Sequence, residues 1–212
     1  MRILGVDPGL TRCGLGTIDS YGARQVSLVD VRVARSPAEL APHKRLLMIA
    51  DELDVVLDQF KPDVVAIERV FAKDNVRSVT GVAQVVGIVM LAAARADLPV
   101  ELHTPPEVKA AVSGNGRAEK QQVQIMVQRI LRLQERPKPA DAADALAIAI
   151  TQAWRGGQQS LIAEPDRTQH GGAGMLPRST GYDLTPAQKM WAGAERMSRR
   201  HGAVAPTETS EQ

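Results

Sequence analysis

The chain has 212 residues, of which 44% are apolar and 24% charged, a composition that excludes a wholly disordered or collagen-like protein. Its 26 basic and 24 acidic side chains give a net charge of +2, which on first inspection argues against a strongly electrostatic partner such as DNA. A single cysteine, Cys13, excludes an intramolecular disulfide, and the first residues lack the layout of a signal peptide. We therefore expect a soluble, cytoplasmic protein.

The first 155 residues have the alternating patterns of one α/β domain. Short connections between the first three strand-like segments predict an antiparallel meander, with Tyr21-Gly22 in the second turn. The fourth segment is an unbroken apolar run, as is typical of a central strand covered on both faces. In chain order the predicted strands are 2–7, 13–19, 25–34, 64–68 and 100–103, and the predicted helices are 44–60, 76–96, 106–112, 118–133 and 141–154.

Residues 156–212 differ in composition from the rest of the chain. Gly, Ser, Thr, Pro and Gln are frequent there, which predicts a polar and flexible C-terminal tail. Thr185-Pro186 can cap at most a short helix over 186–200, because the apolar face of that segment is thin. The expected organisation is a domain over 1–155 followed by the tail.

Four carboxylates lie at notable positions. Asp7 ends the first predicted strand, Glu68 ends the fourth, and Asp141 and Asp144 share one face at the start of the last helix. If the first and fourth strands are adjacent and parallel, all four acids converge at one edge of the sheet. Converging acids without basic partners repel one another unless divalent cations neutralise them, and an all-oxygen ligand set favours Mg²⁺ or Mn²⁺.

Each acid also has a simpler explanation when it is taken alone. An aspartate before Pro-Gly, such as Asp7, is common in turns, and Asp141 and Asp144 suit a helix N-terminus. Glu68 is harder to explain in this way, because a charged residue at the end of a buried strand is costly without a purpose. The combination of the four acids, rather than any one of them, indicates a site.

Several segments, in their order along the chain, resemble the RuvC family of Holliday-junction resolvases over about residues 1–154. They are Gly-Val-Asp-Pro-Gly at 5–9, Val-Ala-Ile-Glu-Arg-Val-Phe at 65–71, Pro-Glu-Val-Lys at 106–109, Ala-Glu-Lys at 118–120 and Ala-Asp-Ala-Ala-Asp-Ala-Leu-Ala-Ile-Ala at 140–149. The resemblance implies an α/β, RNase H-like fold with a mixed five-stranded sheet flanked by helices on both faces. It also implies a homodimeric, Mg²⁺-dependent endodeoxyribonuclease that resolves four-way DNA junctions by paired symmetric nicks in recombination and repair, together with RuvA and RuvB.

The resemblance assigns roles to individual residues. It implies two Mg²⁺ ions per site, roughly 4 Å apart, for which Mn²⁺ can substitute, and hydrolysis that leaves 5′-phosphate and 3′-hydroxyl ends. Lys109 and Lys120 match basic residues that contact DNA in the family, although a solvated helix face is the alternative. Arg69 departs from some relatives and adds either a phosphate contact or only a surface charge. The residues that match the family's catalytic and metal-binding acids are Asp7, Glu68, Asp141 and Asp144.

Two apolar features fit the same implication. Phe71, one of two phenylalanines in the chain, lies in a polar loop, where an aromatic ring can stack on unpaired junction bases; a core or dimer contact is the alternative. The predicted helix 76–96 is apolar nearly all round, which favours burial by its own sheet and by a second subunit. An ordinary buried core helix is the alternative for it.

The distribution of charge removes the first objection to DNA. Residues 1–155 carry 20 basic and 18 acidic side chains, and without the four site acids the balance is 20 against 14. Four of the basic residues precede Asp141 and are expected near the site. They are Arg129, Arg132, Arg136 and Lys138.

Three other functions remain as alternatives. The segment 7–14 also resembles the first phosphate loop of the actin and sugar-kinase superfamily, but the sequence lacks the second phosphate loop and the adenosine motif of a kinase. A RuvX-type relative that acts on RNA is disfavoured by the paired acids of the last helix and by Phe71. A catalytically silent junction-binding scaffold is disfavoured by the four intact acids.

Overall fold

A computed structural model describes residues 1–69 and 76–155. Within these ranges the chain forms a five-stranded sheet with helices on both faces, which confirms the predicted fold class. The strands are β1 (Arg2–Asp7), β2 (Arg12–Gly22), β3 (Gln25–Arg35), β4 (Val64–Glu68) and β5 (Val100–His103), and the helices are α1 (Pro42–Phe60), α2 (Val76–Arg95), α3 (Pro105–Ser113), α4 (Lys120–Ile130) and α5 (Ala140–Arg155).

The sheet is mixed, and its strand order is β3-β2-β1-β4-β5. The first three strands form the predicted antiparallel meander, whereas β4 pairs parallel with β1 and β5 pairs parallel with β4. In the parallel register Val6 lies opposite Ile67. Asp7 and Glu68, the next residue of each strand, therefore emerge side by side at the carboxyl edge of the sheet, as the sequence predicted.

Alternation along the strands decides which face of the sheet these acids occupy. Ile3 of β1 and Ala66 of β4 belong to the core that packs against α3, α4 and α5, while Val6 and Ile67 belong to the core that packs against α1 and α2. Because side chains alternate with a period of two, Asp7 and Glu68 fall on the α5 face. Strand parity thus directs both carboxylates toward the helix that carries the other two acids.

Helix α5 lies unusually close to the sheet because glycines face it. A Cβ atom built on Gly14 of β2 would lie 2.1 Å from the carbonyl oxygen of Asp141, and one built on Gly5 of β1 would lie 2.6 Å from the backbone nitrogen of Ala149. The facing side of the helix carries alanines at buried positions, among them Ala145 and Ala149. Small residues on both sides let the two backbones approach, and this approach brings the N-terminus of α5 to the carboxyl edge of β1.

Helix α3, at the same edge, begins with a capping box. The Thr104 hydroxyl accepts a hydrogen bond from the backbone nitrogen of Glu107, and the Glu107 carboxylate accepts one from the backbone nitrogen of Thr104 at 2.7 Å. Such reciprocal caps fix the start of a helix. The cap therefore holds the first turn of α3, one turn before Lys109, in a fixed position.

The boundaries differ from prediction in a few places. Strand β2 continues through Gly22, so the turn consists of Ala23 and Arg24, with φ angles of +46° and +63°, rather than Tyr21-Gly22. Positive φ at both central residues is the geometry of a tight two-residue hairpin, whose twist matches the strands. Helix α4 is shorter at both ends than predicted. The predicted tail and its short helix, 186–200, lie outside the described residues.

Candidate active site

Three of the four acids line one cleft at the carboxyl edge of the sheet. Asp7 from β1, Glu68 from β4 and Asp144 from α5 border a space of about 230 Å³ together with Lys109 and Lys120. Apolar side chains of α3, α4 and α5 form the rest of its lining, which includes Val108, Val123 and Ile148. The predicted convergence of strand-end and helix acids is therefore present in the fold.

Burial and mutual repulsion disfavour the charges on these acids. Burial raises the pKa of Asp7 from 3.8 to about 7, and the nearby charges of Asp144 and Glu68 add to the effect. Burial, followed by the charge of Asp144, also raises the pKa of Glu68. The pKa of Asp144 is raised as well, mainly by burial and against a hydrogen bond from Lys120. The cleft thus concentrates negative charge that the protein alone does not neutralise.

Lys120, in the first turn of α4, is the cation closest to this charge. Its Nζ atom lies 2.5 Å from Oδ2 of Asp144 and donates a hydrogen bond to it. Burial opposes the charge of Lys120, but that hydrogen bond and the charges of Asp144 and Asp7 outweigh burial and raise its pKa. Lys120 therefore stays protonated in the cleft. The side chain is 60% exposed, so Lys120 lies at the solvent-facing rim of the cleft and pairs there with Asp144.

Asp141 lies on the other side of the cluster and has a different partner. Oδ2 of Asp141 lies 3.0 Å from Nε of Arg12, which follows the turn after β1. The same oxygen is buried, and within the described part of the chain it accepts no hydrogen bond of good geometry. The expectation of acids without basic partners is thus wrong for Asp141 and Asp144, because the docking of α5 brings its first turn against Arg12 and Lys120.

The donor chemistry of the site fits a hard divalent cation. All four side chains offer carboxylate oxygens, three have pKa values raised by uncompensated burial, and the buried Oδ2 of Asp141 lacks a hydrogen-bond donor. In the present side-chain positions no three acidic, histidine or cysteine residues within 1–69 and 76–155 are arranged to share one ion. Arg12 and Lys120 hold two of the carboxylates, so loading the site requires these two acids to exchange cationic partners.

The remaining predicted site residues are placed differently. Lys109 lines the cleft as expected, on the side of α3. Arg69 is exposed just beyond β4, where its backbone nitrogen donates to the His103 carbonyl, and its side chain is not part of the cleft lining. Phe71 lies outside the described residues, so its stacking role stays a prediction.

The basic side chains near the acids differ from those expected. The four basic residues before Asp141 are absent from the cleft lining, and Arg129 lies instead in a groove on α4 with Glu119. Sequence reasoning missed Arg12 and Arg45, which line a neighbouring cleft with Asp141. Arg12 had a signal, since it follows the Asp7 turn directly. Arg45 had none, because it lies in α1, far along the chain from each of the four site acids.

Comparisons with known proteins agree with this geometry. A family model described as crossover junction endodeoxyribonuclease RuvC matches residues 3–152. The crossover junction endodeoxyribonuclease RuvC of Leifsonia xyli subsp. xyli is 53% identical over 200 residues, which cover 94% of each chain. The protein of the same description from a Nocardioides species is 58% identical over 162 residues, covering 76% of this chain and 92% of its own.

Solved structures give the same result. The structure of Thermus thermophilus RuvC in complex with Holliday junction substrate superposes with a TM-score of 0.70 at 36% identity, over 74% of this chain and 94% of that one. The yeast mitochondrial Holliday junction resolvase Ydc2, at 13% identity and a TM-score of 0.52, covers 73% of this chain and 80% of its own, and it shares the fold.

Proposed function

Since the chain belongs to the RuvC family of crossover junction endodeoxyribonucleases, we propose that it resolves four-way DNA junctions by paired symmetric nicks in recombination and repair. One observation carries the mechanism. The half-buried carboxylates of Asp7, Glu68 and Asp144 share a cleft with Lys109 and Lys120. Carboxylates that can bind metal ions lie beside lysines that can bind a phosphate, and the hydrolysis of a phosphodiester requires both. Because the substrate is genomic DNA, we also propose a cytoplasmic location.

We assign Mg²⁺ to the acid cluster, with two ions per site and Mn²⁺ as a substitute. The side chains that would hold the ions are Asp7, Glu68, Asp141 and Asp144. When bound, such ions supply an activated water and stabilise the charge on the leaving oxygen. The buried Oδ2 of Asp141, which lacks a hydrogen-bond donor, supports its inclusion as a ligand.

The lysines act on the substrate directly in this proposal. The ammonium group of Lys120 uses one donor on Asp144 and has others left for a phosphate oxygen. Lys109 lines the same cleft from α3 and offers a second cation to the strand. Water attacks the phosphorus in line with the 3′ oxygen, whose bond to phosphorus breaks. The products are a 5′-phosphate and a 3′-hydroxyl, which a ligase can join.

Outside the cleft, we propose that the ring of Phe71 stacks on unpaired junction bases and that Arg69 contacts a phosphate. The exposure of Arg69, one residue beyond Glu68, supports this contact. RuvA and RuvB are proposed as partners on the ground of the family alone.

A homodimer is the assembly that the reaction needs, since two symmetric nicks require two active sites. The outer side of α2 suits such a contact. Ala83, Gly87 and Leu91 are exposed at four-residue intervals, while Val85 and Val89 face the core. Leu91 is 52% exposed, and a Cβ on Gly87 would meet nothing within 4 Å. An apolar stripe with a central glycine lets two helices approach closely, so we propose that a second copy packs there.

A labelled synthetic four-way junction tests the function. We expect the unmodified protein with Mg²⁺ to make two symmetric nicks whose products can be ligated, and to leave a linear duplex of the same sequence intact. Asp7→Asn and Asp144→Asn should bind the junction and fail to nick it. Junction binding by the unmodified protein without nicking, in Mg²⁺ or Mn²⁺, would contradict the proposal.

A further inference from the structure

A second cleft borders the acid cluster at Asp141. It encloses about 330 Å³, and its lining comes from the loop after β1, from α1, from the start of α2 and from Asp141. Asp141 is the only one of the four acids in this lining, while the other three border the first cleft. The four acids are therefore divided between two clefts, the first with Asp7, Glu68 and Asp144 and the second with Asp141.

The second cleft contains an arginine side chain, Arg45, that is hydrogen-bonded to neutral groups of the protein. The guanidinium of Arg45 donates from Nε to the Ser36 hydroxyl at 3.0 Å and from Nη2 to the Thr11 hydroxyl at 2.7 Å. Ser36 is buried and donates to the Leu10 carbonyl, so this support is rigid. Within the described chain no carboxylate forms an ion pair with Arg45. Two neutral hydroxyls thus hold the Arg45 guanidinium in the open cleft, and its other N–H groups are left to donate to a ligand.

Arg12 adds a second guanidinium to the same lining. Its side chain is 54% exposed, and its one ion pair is the contact with Asp141, which does not meet hydrogen-bond geometry. Two planar guanidinium groups beside a threonine hydroxyl form a donor set suited to phosphate oxygens.

We propose that this second cleft binds a backbone phosphate of the DNA strand that is being cut, at the Asp141 side of the acid cluster, with Arg45 and Arg12 as its ligands. The inference rests on the proposed junction cleavage and adds a subsite to it. In this arrangement cations in both clefts hold the strand. Arg45 then positions the strand and does not touch the reacting atoms.

The salt dependence of junction binding tests the subsite. Affinity for the labelled four-way junction is measured in Ca²⁺ at several NaCl concentrations, for the unmodified protein, Arg45→Gln and Lys44→Gln. Lys44 is the matched control, because it carries the same charge on the same helix but is exposed and lies outside the cleft lining. For Arg45→Gln we expect the slope of log affinity against log salt to fall by roughly 0.9 per protomer. Lys44→Gln should keep the slope.

Two further variants separate phosphate binding from a purely structural role of Arg45. Arg45→Lys keeps the charge and should retain most of the slope, whereas a brace for the loop after β1 would be lost in both Arg45 variants together with thermal stability. Arg12→Gln changes an exposed side chain and should also lower the slope by about 0.9 per protomer, even if Arg45→Gln does not fold.

An unchanged slope in Arg45→Gln and Arg12→Gln would overturn the subsite, and so would an equal fall in Lys44→Gln. Either result leaves the proposed function intact, provided that the unmodified protein still nicks the junction in Mg²⁺. Failure of the unmodified protein to nick is a separate result and refutes the proposed function instead.

Discussion

Replacing Gly14 by alanine should move the acids of α5 while leaving the rest of the fold in place. The new Cβ would lie 2.1 Å from the carbonyl oxygen of Asp141, and ordinary contacts begin near 3.4 Å. The first turn of α5 must therefore retreat from the sheet by about 1.3 Å. Asp144 lies in the next turn of the same helix and moves with it, whereas Asp7 and Glu68 stay on their strands.

The displacement has two measurable costs. A misplacement of about 1 Å at a catalytic group can lower a rate by roughly 100-fold, so single-turnover cleavage of a four-way junction should slow by about that factor. Overpacking of this kind lowers the free energy of unfolding by about 1–3 kcal/mol, which denaturant titration can measure. Junction affinity in Ca²⁺ should change little, since Lys109 and Lys120 lie on α3 and α4.

Leu53→Ala is the matched control for Gly14→Ala. Leu53 is buried in α1, in the core on the other face of the sheet, and its truncation should cost about 2–5 kcal/mol without moving α5. Its cleavage rate per folded molecule should remain that of the unmodified protein. If Gly14→Ala cleaves as fast as Leu53→Ala at equal folded fraction, the close approach of α5 to the sheet does not set the geometry of the acids.

Three other predictions concern charge and assembly. Because the pKa of Asp7 is raised to about 7 against 3.8 in the unfolded chain, the folded state holds an extra proton between these values, and the stability of the metal-free protein should fall as pH rises from 4 to 7. Asp7→Asn should remove this loss, which amounts to at most about 4 kcal/mol at pH 8. The Tm of the metal-free variant at pH 8 should then exceed that of the unmodified protein, and a lower Tm would contradict a carboxylate at Asp7 destabilised by burial and by its acidic neighbours. Lys120→Met should slow junction cleavage by roughly 100-fold or more. It should also reduce the slope of log affinity against log salt by about 0.9 per protomer. An unchanged cleavage rate would show that Lys120 is only a solvated surface residue. Leu91→Glu should convert a dimer to monomers in sedimentation velocity. Tyr21→Glu, at another exposed position on the hairpin, is the control, and a dimer that persists in Leu91→Glu would exclude the outer side of α2 as the interface.

The positions of the acids could be predicted because local patterns determine them. Asp7 and Glu68 end apolar strands, and on the condition that β1 and β4 pair in parallel, strand parity sets the face on which they lie. Asp141 and Asp144 share a helical face by spacing alone. These patterns lie within a few residues of each acid, so they can be recognised without knowing which residues are in contact in the folded protein.

The partners of the acids could not be predicted in the same way. The pairs Arg12–Asp141 and Lys120–Asp144 depend on the close packing of α5 against β1 and β2, which the glycines of these strands permit. Arg45 reaches the site edge through hydroxyls of Thr11 and Ser36, which belong to other elements. Only Arg12 leaves a local trace in the sequence, because it directly follows the turn after Asp7, but nothing there predicts that its partner is Asp141.

The position of β1 in the middle of the sheet has a consequence for the order in which parts of the site open. Strand β1 is hydrogen-bonded on both sides, by β2 and β4, so the backbone amides beside Asp7 should exchange with solvent only when the whole domain unfolds. Lys120 is in the first turn of α4, whose N-cap residue Glu119 makes no side-chain capping bond, and such helix ends fray at small free-energy cost. Asp7 is thus fixed to the part of the molecule that should exchange slowest, while Lys120 lies at a helix end that should open readily. Under the proposed function, this difference would let Asp144 exchange Lys120 for a metal ion while the central strand stays folded.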